Sequence, residues 1–244
     1  MAKIDTSISE IHLLNGIELS QYRNRNLRNK ESELIVVDDT LYKIIDEFYR
    51  KKRRPIMEFL HDTKHGLPID LKDLLYENGK FFAYTMQFYK NYDELHAMLV
   101  SDASLEERKK VALELVDIFE KILNLNLVYY DWHSRNIVIN QDLKLLDIDS
   151  AQRDVSVEYC TKAIKNLLDL CISLLIGIDF NDSYGIYWEW QKQQIYEKIL
   201  LENQNWKDKY KPISLDYIRK EINSYTLTKQ EYAKEVIVKH IKTR

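Results

Sequence analysis

The period of the apolar positions changes partway along the chain, and the change separates two kinds of structure. Residues 34–45, "LIVVDDTLYKII", are rich in β-branched residues and predict two strand segments around an Asp-Asp turn. In the next stretch, "DEFYRKKRRPIMEFLHDTKH", Pro55 suits the first turn of a helix and Gly66-Leu67-Pro68 suits its end. Residues 74–89, "LLYENGKFFAYTMQFY", set Asn78-Gly79 between apolar runs, a strong hairpin signal. The first 89 residues thus predict a small antiparallel sheet with one helix.

From Leu95 onward the spacing is helical. Within 105–126, Val111, Leu113, Leu115, Ile118, Phe119, Ile122 and Leu123 recur at the interval of one helix face. Strands "NIVIN" and "LKLLDI", joined by Gln141-Asp142, interrupt this pattern. Residues 157–178 are apolar on most sides and predict a buried helix, and 187–242 predict a more polar helical tail with Trp188, Trp190 and Trp206 early in it. The pattern predicts an α+β protein with a β-rich N-lobe (1–89) and a helical C-lobe (90–244). Clefts between lobes are preferred places for ligand sites.

Composition narrows the function classes. With 244 residues, 45% hydrophobic and 31% charged, the chain has the make-up of a soluble globular protein. A net charge of −3 argues against bulk electrostatic binding of nucleic acid, and no nucleic-acid partner is expected. Cys160 and Cys171 lie about three turns apart on one predicted helix, too far for a bridge within it, and read as free buried thiols of a reducing cytosol. The N-terminus lacks the apolar core of a signal peptide. The longest apolar run, 170–178, is well short of the roughly 20 residues of a membrane span. A cytoplasmic location without membrane contact is expected.

The candidate chemistry is concentrated in residues 129–151, "YYDWHSRNIVINQDLKLLDIDSA". Asp131, His133 and Asn136 precede one strand, and Asp147 ends the returning strand. If the two strands pair, Asn136 and Asp147 are neighbours at one end of the hairpin. An amide oxygen and a carboxylate suit Mg²⁺, which also takes phosphate and water oxygens. Asp131 is placed to orient a hydroxyl and accept its proton. Each residue alone would pass as a strand cap or turn residue; the combination of D-x-H-x-x-N with L-x-D-x-D across one hairpin does not.

On these motifs the chain resembles the protein-kinase-like superfamily, on its aminoglycoside phosphotransferase and choline kinase side. That group carries H-G-D-x-H-x-x-N, a hairpin and then a metal-binding Asp; here the stretches read "YYDWHSRN" and "LLDIDSA". Tyr129 and Tyr130 replace the usual His-Gly, and the segment from Asn136 to Asp147 is slightly short. The resemblance implies a bilobal protein-kinase-like fold, ATP and Mg²⁺ as cofactors, and transfer of the γ-phosphoryl group to a hydroxyl of a small molecule. It also implies roles: Asp131 aligns the acceptor, Asn136 and Asp147 hold the metal, His133 braces the loop, and Asp149 caps the following segment or assists the metal. Lys43, in "TLYKII", would contact the α- and β-phosphates, with Glu58 as ion-pair partner or Glu47 as the alternative. Met86 would back the adenine pocket, the backbone of Gln87 to Tyr89 would bind the base, and Val138 would form the pocket floor.

One element of that group is missing. Its phosphates lie under a glycine-rich turn, whereas residues 20–32, "SQYRNRNLRNKES", hold no glycine and carry Arg23, Arg25, Arg28 and Lys30. Two other classes compete: a protein Ser/Thr kinase or nucleotide-binding pseudokinase, and a metal-dependent glycosyltransferase built on "DID". The short run after Asp147 opposes a long activation loop, and the upstream hairpins oppose a glycosyltransferase βαβ unit. The acceptor, a small molecule or a protein hydroxyl, is not legible. The aromatic stretch "FNDSYGIYWEW" (180–190) would suit a cationic or sugar-like one.

Overall fold

Both turn pairs of the N-terminal region close hairpins. Asp38 (φ +52°), Asn78 (φ +50°) and Gly79 (φ +72°) adopt the left-handed backbone that two-residue hairpin turns require. The structure is a computed structural model, and it describes residues 2–8, 10, 11, 31–90, 93–139, 142–153, 156–177 and 215–242. The basic stretch 23–30 and the aromatic stretch 180–190, with Trp206, lie outside the described residues. The chain divides into two units: Met1–Tyr92 with Ile148–Ser150, and Asp93–Asp147 with Ala151–Arg244.

Unit 1 is built on five strands: β1 (Lys3–Asp5), β2 (Ser32–Val37), β3 (Thr40–Ile45), β4 (Leu71–Glu77) and β5 (Lys80–Gln87), in the order β1-β4-β5-β3-β2. β2, β3, β5 and β4 pair antiparallel, but β1 runs parallel to β4, so the sheet is mixed rather than antiparallel throughout. The sequence gives no warning of β1, because its three residues are all exposed and show no alternation. Ile35, Ile44, Leu75, Phe82, Ala83 and Ile11 form a core cluster in this unit.

Helix α1 (Glu47–Asp62) packs on β4 and β5 through Ile56, Met57 and Leu60. It starts well before Pro55, which therefore lies inside the helix and not in its first turn. Asp46 sets the start instead, its carboxylate accepting the Phe48 N–H at 3.0 Å. The run "RKKRR" is thus helical, and Arg53 from it is buried on the apolar face. The short 3-10 turn Ile148–Ser150 belongs to this unit; its three residues are buried, and it meets α1.

Unit 2 holds a three-stranded antiparallel sheet, β6 (Asp93–Glu94), β7 (Ile137–Ile139) and β8 (Leu143–Leu145), with β7 central. Its helices are α2 (Leu95–Val100), α3 (Leu105–Asn124), α4 (Val157–Ile176), α5 (Leu215–Ser224) and α6 (Leu227–Lys242). A capping box starts α3, Ser104 and Glu107 exchanging side-chain and backbone hydrogen bonds. Those bonds hold the Glu107 carboxyl below its ordinary range. Ser156 caps α4, whose end is set by Gly177 at φ +76°.

Of the predicted stripe, Val111, Leu115, Ile118, Phe119 and Ile122 are buried while Leu113 and Leu123 are half-buried, and α3 packs against α4 and α5. Arg219 of α5 reaches Asp117 Oδ1 at 2.7 Å and Glu120 Oε2 at 2.6 Å on α3. Cys160 and Cys171 are both buried free thiols. Burial pushes the Cys171 thiol up to about 12, so it stays protonated and inert at neutral pH. Among the described residues no helix is long and apolar enough to cross a membrane.

Candidate active-site residues

The segment carrying Asp131 is anchored before any polar contact is considered. Val128 and Gln152 form a two-bond bridge, N–H to carbonyl at 2.8 and 2.9 Å. Buried Trp132 packs on Phe119 (5.8 Å between ring centroids) and Tyr129 (5.2 Å). Side chains alternate along extended backbone, so seating Trp132 in the core turns Asp131 and His133 the other way. Both are half-buried. Asn166 of α4 donates from Nδ2 to the Tyr130 carbonyl at 2.6 Å, and Lys162 Nζ sits 4.3 Å from the Tyr130 ring centroid.

Residues Ser134–Asn136 then form a 3-10 turn, with His133 Nδ1 accepting the Arg135 N–H at 3.2 Å. The turn brings Asn136 back onto Asp131. Its Nδ2 donates to Asp131 Oδ2 at 2.9 Å and to the Asp131 carbonyl at 3.2 Å. The register Ile137↔Leu145 is extended by a Leu146 N–H donated to the Asn136 carbonyl at 2.9 Å. Asp147 is therefore the residue next to Asn136's cross-strand partner. Unit 2 holds Asp131, Asn136 and Asp147 on one hairpin end.

A second polar cluster lies inside unit 1. Lys43, on β3 and 6% exposed, places Nζ 2.9 Å from Oδ1 of Asp149, which is 2% exposed. Arg53 approaches the same carboxylate, Nε to Oδ2 at 3.8 Å, and pairs through Nη2 with Glu31 Oε2. Lys43 Nζ also lies 5.9 Å from the Tyr84 ring centroid.

This corrects two expectations. Glu58 is not beside Lys43: it accepts from Tyr76 Oη at 2.7 Å and from Arg54 Nε at 3.1 Å. Five residues from Arg53 is a rotation of about 140° on a helix, which carries Glu58 off the buried face. Burial opposes its ionisation, but the bonds from Tyr76 and Arg54 prevail and hold its carboxyl below the ordinary range. Glu47 is exposed in the first turn. The acid at Lys43 is Asp149, expected chiefly as a cap.

The residues expected around a base are placed differently again. Met86 is 1% exposed, opposite Leu41 and Leu71 in the sheet. The Gln87 N–H is donated to the Asp70 carbonyl at 3.0 Å and the Phe88 N–H to the Asp39 carbonyl at 2.9 Å. Tyr89 Oη donates to Asp70. The Gln87 N–H, expected to meet a base, is thus engaged by the loop before β4. Val138 is buried on β7.

Among the described residues no three His, Cys, Asp or Glu side chains form a metal cluster. Mg²⁺ does not need one, because it is commonly held by one or two protein oxygens plus phosphates and waters. Asn136 directs its amide nitrogen at Asp131, which leaves Oδ1 as its donor to a cation. Asp147 on the same hairpin end would supply the carboxylate, and this pair of oxygen donors suits the ion. The basic run 50–54 reads in sequence as a solvated face, with an anionic acceptor or partner as the sharper alternative; Arg53 is buried instead, and Asn166 is not marked at all. Arg53 had a signal: with Ile56, Met57 and Leu60 it continues the i, i+3, i+4, i+7 stripe of α1. Asn166 had none.

No family model matches the chain, and no curated protein matches its sequence. By shape, 524 chains of solved structures match, a breadth typical of folds that host many functions. One of them is described as a divergent kinase lacking the glycine-rich loop that regulates membrane ultrastructure of the Toxoplasma parasitophorous vacuole. The likeness covers 90% of each chain with a TM-score of 0.55 at 12% sequence identity. At that identity the likeness concerns architecture alone, and it agrees with the α+β elements above: the fold is protein-kinase-like.

Proposed function

We propose that the chain is an ATP-dependent phosphotransferase that moves the γ-phosphoryl group to a hydroxyl of a small molecule, with Mg²⁺ as cofactor. The observation that carries this reading is the buried Lys43–Asp149 pair. It joins the strand lysine of "TLYKII" to an acid of "DIDSA", 106 positions away, within one cluster. A buried ion pair is costly to maintain for stability alone, and a phosphate site gives both groups a use.

The chain's own residues divide the work. Lys43 neutralises the α- and β-phosphates. Asp131 has Oδ2 held by Asn136 and turns Oδ1 to the acceptor hydroxyl. As the hydroxyl oxygen bonds to the γ-phosphorus, its proton passes to Asp131, the bond to the β-phosphate oxygen breaks, and ADP leaves. His133 holds the turn that carries Asn136. Mg²⁺, when bound to Asn136 Oδ1 and Asp147, supplies charge neutralisation at the phosphates.

Asp149 is a second candidate for the cation's carboxylate. Counting to Asp149 lengthens the segment from Asn136 by two residues and removes the shortness that Asp147 leaves. Comparing Asp147→Asn with Asp149→Asn for the Mg²⁺ dependence of nucleotide binding decides between them. The glycine-free stretch 20–32 is compatible with the fold, since the structural neighbour is itself described as a divergent kinase lacking the glycine-rich loop.

The test is a Mg²⁺-ATP consumption assay over amino-sugars, amino alcohols, sugars and generic protein substrates. Acceptor-dependent turnover with a small molecule supports the reading, and turnover confined to protein substrates favours a protein kinase. Mg²⁺-ATP binding without turnover in the whole panel favours a pseudokinase.

A further inference from the structure

We propose that Lys162 binds an anionic group of the acceptor, so that the acceptor is a small hydroxyl compound carrying a carboxylate or a phosphate. The inference rests on the phosphotransferase reading above and deepens it by naming the charge of the substrate. It starts from Tyr130, which stands directly before Asp131, where the resembled motif has glycine. Residues three and four apart share a helix face, and α4 turns such a stripe, Tyr159, Lys162 and Asn166, onto this one residue. The Tyr159 ring centroid lies 6.2 Å from that of Tyr130, and Lys162 Nζ lies 4.3 Å from the latter. Asn166 Nδ2 donates to the Tyr130 carbonyl at 2.6 Å. All of these groups belong to unit 2, as does Asp131.

Within the stripe only Lys162 is exposed; Tyr159 and Asn166 are half-buried. These two hold the ring and backbone of Tyr130, so the ammonium rests against a fixed aromatic face. The attraction between them restrains a flexible stem, yet an ammonium has three N–H donors and the ring does not use them all. Among the described residues no acid pairs with Lys162, so its charge is available beside the proposed base. Lys162 meets the loop on the N-terminal side of Asp131, whereas the proposed cation donors Asn136 and Asp147 follow it. On that side the group it meets is the acceptor's and not a nucleotide phosphate held at the metal. A carboxylate or phosphate accepts charge-assisted hydrogen bonds from the ammonium, while an amino group in the same place is repelled. The charge is thus opposite to the one that the stretch 180–190 suggests from sequence.

The experiment is a Mg²⁺-ATP turnover assay with two matched sets of acceptors: glycerol, glycerate and glycerophosphate, and glucose, gluconate and a glucose monophosphate. The wild-type chain is compared with Lys162→Gln, Lys162→Arg and Arg135→Gln. In the wild type an anionic member should exceed its neutral parent by about tenfold in kcat/KM. Whether the carboxylate or the phosphate gains more tells which anion the site takes. Lys162→Gln should bring the members of a set to within about twofold of one another, with the KM for ATP unchanged. Lys162→Arg keeps the charge and should keep the preference. Arg135→Gln removes an exposed cation of the same loop and should keep it too, which separates a contact from a general field. Three results overturn the inference and leave the phosphotransferase reading standing: no anionic preference in the wild type, equal loss of it in Lys162→Gln and Arg135→Gln, or a raised KM for ATP in Lys162→Gln. Turnover of no acceptor overturns that reading, and this inference with it.

Discussion

Asp131 and Asn136 are half-buried residues whose polar contacts lie mainly within their own turn, so their removal should be felt in chemistry before stability. Asp131→Ala removes the proposed hydroxyl-orienting base and should lower turnover by about 10²- to 10⁴-fold, with the denaturation midpoint nearly unchanged. Asp147→Ala should abolish transfer as well. Wild-type-like ATP consumption by either variant would contradict the proposed roles. Asp131, Asn136 and their hairpin were legible because motif and spacing are local. The partner of Lys43 was not, because it depends on which face α1 presents and on where residues 148–150 come to rest.

Elements are held by contacts that patterning does not reveal. Arg108, near the start of α3, donates to the carbonyls of Leu99 (3.2 Å), Ser101 (2.6 Å), Ala103 (3.0 Å) and Leu174 (3.2 Å). It thereby joins the end of α2 and the end of α4 to the start of α3, and burial lowers its pKa. Arg108→Met should destabilise the protein by about 2–4 kcal/mol in urea denaturation. A loss under about 0.5 kcal/mol would mean that water takes over these carbonyls. Gly177 shares the region: a Cβ there would lie 3.2 Å from the guanidinium carbon, on backbone already at φ +76°.

The segment after α1 should respond to pH. His65 Nδ1 accepts the Leu67 N–H at 3.0 Å, and burial lowers its pKa below the ordinary 6.5. The stabilising contribution of neutral His65 is present above pH 6.5 and is lost as pH falls through its lowered value. The melting temperature should decline over that range, and His65→Gln should flatten the decline. An identical pH profile in the variant would remove His65 from the account. The helix and hairpin pattern of these elements was readable, apart from β1, which is short and exposed, and the start of α1, where Asp46 and not Pro55 sets the boundary.

At the scale of the molecule, fold and function were legible to different degrees. Two unlike regions follow from the change of apolar period, and the architecture matches that of a solved divergent kinase at 12% identity. That degree of divergence is expected where burial pattern and turn chemistry preserve a fold while most side chains change. The acceptor was not readable, since no residue pattern in the helical region is specific to one hydroxyl compound. The most direct measurement is transfer of labelled γ-phosphate from Mg²⁺-ATP to a panel of small hydroxyl compounds, by wild-type chain and by Asp131→Asn. Labelled product from the wild type that disappears in Asp131→Asn is the predicted result; stoichiometric ATP binding with no product from any acceptor would contradict it.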